Sequence, residues 1–273
     1  VQEYVRSTVI KRLSDEGLET LDELSISPIP LNFDELFFPL GANELDNSAI
    51  LRWKNSEIEP RHLIRNVRKN DISTKNLKKL NSQMAKKWST RQGHKAKRIE
   101  AHFYLNSGKD IDTEWLISNI SEIMNQDSAA AAIIIEQAIE LSNDSSLRET
   151  ASDIALERGE TDIANLHIDS LPEGPNKKLR KARLARIKGN SKLAEKLDLE
   201  AITDLDNVEK IKHEISQLVR LYDDRLPGPI DPTLVTKINK RIESLDISKL
   251  HLDQKNPAML SVNLLKFSIA SES

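Results

Sequence analysis

Glycine placement constrains this chain more tightly than any other feature of its sequence. Eight glycines stand at positions 17, 41, 93, 108, 159, 174, 189 and 228, and no two lie closer than fifteen residues. Gly159, Gly174 and Gly189 follow one another at intervals of fifteen. Fifteen residues make one helix of about three turns plus a tight connection, so about thirty make a helical hairpin. Apolar periodicity between the glycines predicts helices near 2–14, 18–25, 60–69, 74–105 (broken about Gly93), 113–125, 128–142, 145–158, 160–170, 175–188, 191–200, 206–223, 232–244 and 257–271. No strand pattern is evident. Ser56 with Glu59 and Ser146 with Glu149 have capping-box spacing, and Asp231-Pro232 and Asn256-Pro257 place a cap before a first-turn proline.

The same spacing removes whole classes of chemistry. The dinucleotide fingerprint, the phosphate-binding P-loop and the glycine-flanked nucleophile serine all need glycines closer together than any found here. With no cysteine, the chain has no disulfide, thiolate zinc site, iron–sulfur cluster or cysteine nucleophile, which fits a cytoplasmic protein. The six histidines (62, 94, 102, 167, 213, 251) never fall three or four residues apart, so the helical two-histidine metal motif is missing. Neither cofactor nor metal is expected. The longest apolar run, Ala129 to Ile135, is far short of the roughly 20 residues that cross a bilayer, so no membrane insertion is expected. A chain starting at Val1, directly in a helix and without a signal peptide, reads as a processed form or an excerpt of something larger.

Aligned on the glycines, Ile154-Ala155-Leu156-Glu157-Arg158-Gly159-Glu160-Thr161-Asp162-Ile163-Ala164 matches Leu184-Ala185-Arg186-Ile187-Lys188-Gly189-Asn190-Ser191-Lys192-Leu193-Ala194, with small and apolar residues at the same offsets. Tyr104-Leu105-Asn106-Ser107-Gly108 is a fainter copy. Over about residues 99–200 this pattern resembles the tetratricopeptide-like helical-repeat superfamily, although the early tryptophan of that family is absent and the period of thirty is shorter than its usual length of about 34. The resemblance implies an α-solenoid that binds partners. The expected fold is therefore all-α: stacked antiparallel helical hairpins with an irregular N-terminal cap. Residues 1–98 form an N-terminal helical region with an irregular loop (26–55) and basic helices (61–98), and residues 99–273 form the repeat region. The loop, with Phe33, Phe37 and Phe38 among its prolines, is expected to wrap over the first helices. The segment Ala129–Leu141, apolar nearly all round, reads as a helix sandwiched on two sides.

Charge is distributed unevenly. Residues 61–98 hold 13 Lys/Arg against the single acid Asp71, whereas the whole chain has net charge −3. Leu77, Leu80, Met84 and Trp88 share one helical face, leaving most cations outside. Arg61, Arg65, Arg68, Lys69, Lys75, Lys78, Lys79, Lys86, Lys87, Arg91, Lys95, Lys97 and Arg98 are thus candidates for neutralising the phosphates of a nucleic acid, with Trp88 as a stacking ring. A solvated face, or one that docks on acidic regions of this chain or of a partner, are the alternatives. Asp223-Asp224-Arg225 is the most concentrated acid–base loop, read as an exposed turn rather than a catalytic pair. The leading reading is a non-enzymatic helical-repeat scaffold or adaptor that binds a protein partner. The alternative is a nucleic-acid-binding accessory domain using the basic face, and the third reading is a hydrolase or other enzyme with a dispersed site.

Overall fold

A computed structural model of the chain describes residues 1–203, 205–223 and 230–272; Asp224, Arg225 and Gly228 lie outside the described residues. The protein is predominantly α-helical, its helices stacked pairwise, and it divides into two compact units, Val1–Arg158 and Gly159–Ser273.

In the first unit, α1 (Gln2–Tyr4) continues through a π segment (Val5–Val9) and a 3-10 turn (Ile10–Arg12). Next comes α2 (Asp15–Ile26), which starts three residues before the expected position because the Ser14 hydroxyl caps it, accepting from the Gly17 N–H at 3.0 Å. The following segment corrects the expectation that strands are absent. It contains β1 (Leu31–Asn32), α3 (Ala42–Asn47), β2 (Leu51–Lys54) and β3 (Glu57–Pro60), the strands forming an antiparallel sheet of order β1-β3-β2. Strands of two to four residues are too short to show alternation in sequence. Ser56 and Glu59 belong to the β2–β3 hairpin, turned at Asn55 with φ 58°, and cap no helix.

This segment does cover the first helices, held by a few polar anchors. Glu23, fully buried on α2, accepts from the backbone N–H of Phe37 (2.9 and 3.1 Å) and of Phe38 (2.8 Å). Thr20 donates its hydroxyl to the Phe38 carbonyl and accepts from the Gly41 N–H at 3.1 Å. At Gly41 the backbones nearly touch: a Cβ would lie 2.3 Å from the Glu16 carbonyl oxygen.

Five further helices, α4 (His62–Asp71), α5 (Thr74–Trp88), α6 (His94–Leu105), α7 (Thr113–Met124) and α8 (Ser128–Leu141), lead to α9 (Ser145–Glu157). α4 packs on α2, and from α5 onward helices pack on their sequence neighbours and on the next but one, α6 on α8 and α7 on α9, as layered hairpins do. Residue 98 falls inside α6. That helix sends Ala96, Ile99 and Phe103 into the core of residues 5–103, and Ala101 and Leu105 into a second core running to Ile154. The α9 cap is Asp144, not Ser146, whose N–H it accepts at 2.8 Å. The α8 expectation is also corrected: Ala131, Ile135 and Ala138 are buried, but Ile133 is 67% exposed and Leu141 57%, so one apolar side is bare.

The second unit comprises α10 (Thr161–Asp169), α11 (Pro175–Ile187), α12 (Ser191–Thr203), α13 (Asn207–Asp223), α14 (Pro232–Glu243) and α15 (Leu252–Glu272). The turn after α11 shows why glycine recurs. Gly189 has φ 78°, its N–H bonds to the Arg186 carbonyl and that of Asn190 to the Ala185 carbonyl, closing a Schellman cap. Helices α13 to α15 share a core of Ile211, Ile215, Leu218, Ile238, Val262, Leu265 and Ile269. Asp231 caps α14 ahead of Pro232 as expected, whereas Pro257 lies inside α15, which begins at Leu252.

Candidate binding surfaces

The basic block separates into two populations. One is spent on the fold. Arg65 donates to the carbonyls of Ser25 (3.0 Å) and Ser27, placing a guanidinium at the C-terminus of α2. Arg68 grips Asp22 of α2 with both arms, at 2.5 and 2.9 Å, and this pairing raises its pKa. Lys95 bonds Glu35 (2.7 Å) and Glu57 (3.1 Å), tying α6 to the cap segment. Burial works against its charge, yet the two carboxylates hold its pKa above the ordinary lysine value. Arg98 pairs at 2.6 Å with Asp127, the N-cap of α8, while Lys97 pairs with Glu100 at 3.2 Å and Arg61 donates to the Ala49 carbonyl at 2.8 Å.

Lys87, Arg91 and Trp88 belong with them. Trp88 is 1% exposed and meets Phe37 edge-on at 5.7 Å, so its ring offers no face to a base. Arg91 lies over Phe37 (4.2 Å) and Trp88 (4.3 Å), and Lys87 over Phe38 (3.7 Å). Both cations sit near the Glu23 carboxylate, whose pKa burial raises while the Phe37 and Phe38 N–H groups, Lys87 and Arg91 oppose that shift.

The other population is Lys69, Lys75, Lys78, Lys79 and Lys86, all exposed and without an ion pair among the described residues. On α5, Lys75, Lys78, Lys79 and Lys86 occupy an arc of about 100° opposite the buried face, running about 16 Å along the axis. No acid interrupts it, because α5 contains none.

Two surfaces in the second unit escaped the sequence reading. On α15, Ala258, Val262, Leu265 and Ile269 are buried, while Leu260 (61%), Leu264 (57%) and Phe267 (73%) form an outward stripe at i, i+4 and i+7. Two apolar stripes interleaved on one helix were the available signal. Elsewhere in the unit, a cleft of about 780 Å³ is lined by α11, α12, α13 and α14. Its three arginines, Arg186, Arg220 and Arg241, are scattered over 55 positions and leave no local motif. The other cation-rich helix, α11, is also partly structural: Lys177 is buried and bonds the carbonyls of Asp169 (3.0 Å) and Leu171 (2.9 Å) and the carboxylate of Glu173 (2.7 Å), closing the end of α10.

Of the histidines, His102 is largely enclosed and its pKa falls to about 4, through burial first and then the charge of Lys69. Among the described residues, no three His, Asp or Glu side chains are grouped to hold a metal ion, and no helix is long and apolar enough to cross a membrane. No family model matches the chain, no curated protein is significantly similar to it, and no solved structure matches it significantly.

Proposed function

We propose that this chain is a non-enzymatic helical-repeat protein, tetratricopeptide-like in its hairpins, that works as a scaffold or adaptor for a protein partner. The observation that carries this reading is the outward stripe of α15. Leu260, Leu264 and Phe267 expose their side chains on a helix already anchored by its opposite face, and Lys266 is the only charged residue between Asn256 and Ser271. Contiguous apolar surface on a folded helix is a docking feature, since water gains by its removal. Site-specific photo-crosslinking from position 264 in cells tests it: discrete protein adducts that vanish in Leu260→Asp/Phe267→Asp support the reading, and no adducts beyond those of an exposed polar control position oppose it.

A second reading, nucleic-acid binding, draws on the segregation of Lys75, Lys78, Lys79 and Lys86 from every acid of the block. Four exposed cations suffice for weak, salt-sensitive attraction to phosphates. Its test is fluorescence anisotropy with single- and double-stranded DNA and RNA at low and physiological salt. A steep salt slope lost in the fourfold Lys→Glu variant supports it, and absence of binding at low salt rejects it.

A further inference from the structure

We infer that the cleft lined by α11 to α14 is the seat of an acidic peptide segment bearing aliphatic side chains, supplied by a protein partner. This rests on the reading of the chain as a partner-binding protein and gives one of its surfaces a chemistry.

The cleft has two unlike walls. On the α11–α12 side, charges are already matched: Arg186 pairs with Asp198, a carboxylate 4% exposed, and Glu195 pairs with Lys237 at 3.6 Å. On the α13–α14 side they are not. Arg241 donates to the neutral Gln217 side chain at 2.8 Å, and Gln217 stands one helical turn from Arg220 on α13. Both guanidiniums line the cleft, Arg220 on its exposed side, with no carboxylate in ion-pair distance of either among the described residues. Arg241, partly buried and fixed by Gln217, is preorganised to accept a carboxylate in bidentate fashion.

Both walls also carry aliphatic lining, Ile187 and Leu199 on one and Leu221 and Leu234 on the other, of which Leu199 is 52% exposed and Ile187 45%. A ligand filling the cleft must therefore cover leucine and isoleucine while presenting anionic groups to one side. Charge complementarity selects an acidic peptide. A nucleic acid would cover the aliphatic lining poorly and bring its phosphates near the exposed Glu195. The half-exposed rim residues give a mouth suited to a chain that enters and leaves, as a helix in a groove does.

The test uses the full chain and two fluorescein-labelled peptides of equal length, one built of Glu and Leu with leucines at i, i+3, i+4 and i+7, the other with every Glu replaced by Gln. We expect the acidic peptide to bind, the glutamine peptide to bind about tenfold more weakly, and Arg220→Gln/Arg241→Gln to reduce acidic-peptide affinity by a similar factor. Lys75→Glu/Lys78→Glu/Lys79→Glu/Lys86→Glu should leave it unchanged. Because the arginine variant could disturb packing, amide NMR of the wild-type protein provides an independent readout, with shifts expected at Leu199, Gln217, Leu221 and Leu234. Equal affinity for the two peptides, or binding lost only in the lysine variant, overturns the cleft assignment while leaving partner binding through α15 intact. Displacement of the peptide by submillimolar octanoate would instead make the cleft a small-carboxylate site and overturn the peptide assignment.

Discussion

The ammonium of Lys87 lies 3.7 Å from the centroid of the Phe38 ring, so a cation that reads as solvent-facing in sequence is part of the clamp that holds the N-terminal cap. Reversing the charge of Lys87, Arg91 and Lys95 together should lower stability by about 3 kcal/mol, through lost cation–π contacts and ion pairs and through repulsion. The same reversal at Lys75, Lys78, Lys79 and Lys86 should cost less than about 1 kcal/mol, since these exposed side chains hold no ion pair among the described residues, Lys78 only lying along the turn at Gly108. Urea denaturation of the two variants distinguishes them, and equal losses would contradict this division of the basic block.

Glu23 is the second part of that clamp. Replacing it by alanine leaves the half-buried Phe37 and Phe38 N–H groups without their acceptor, at a cost of about 2–4 kcal/mol. Hydrogen exchange at those two amides should accelerate more than at the α7 and α8 amides. An unchanged denaturation midpoint would show that the cap is held by its apolar contacts alone.

What could be read in advance followed the range of each interaction. Helix ends governed by neighbours three or four residues away were legible: Asp231 caps α14, and Gly189 turns the chain after α11. The roles of Arg65, Arg68 and Arg98 were not, because their partners Ser25, Asp22 and Asp127 stand 40, 46 and 29 residues distant. Trp88 fell between, since its spacing from Leu80 and Met84 indicated a core face but could not exclude a stacking role. The cleft arginines were invisible for the same reason as Arg68: only the fold brings them together.

Two glycines should respond differently to alanine. At Gly189 the obstacle is φ 78° with nothing within 4 Å of the added Cβ, so the cost is the left-handed penalty of about 1–2 kcal/mol. Gly41 has φ −83°, but its added Cβ would meet backbone at 2.3 Å, and moving α2 away from the cap should cost about 3 kcal/mol. Thermal unfolding ranks them, and a milder effect at Gly41 would mean that the two backbones separate easily.

Acid sensitivity has an identifiable contributor. His102 titrates near 4 in the folded chain and near 6.5 when unfolded, so the unfolded state binds the extra proton first. Its contribution is fully present above about pH 6.5 and is lost as pH falls toward 4. Glu23, whose pKa is raised mainly by burial, acts in the opposite sense: its contribution is present below its unfolded pKa and is lost as pH rises through the folded value. The His102→Asn variant should therefore show a flatter stability profile between pH 6.5 and 4, and the His102 ring proton resonances in the wild type should stay constant from pH 8 to 5. A ring titration near 6.5 would contradict the enclosure of this side chain.

Photo-crosslinking from position 264 tests the interaction reading most directly. Discrete protein adducts are expected in cells, and they should disappear with Leu260→Asp/Phe267→Asp while circular dichroism stays helical. A folded protein that gives no adducts at 264 beyond those of a polar control position would contradict it.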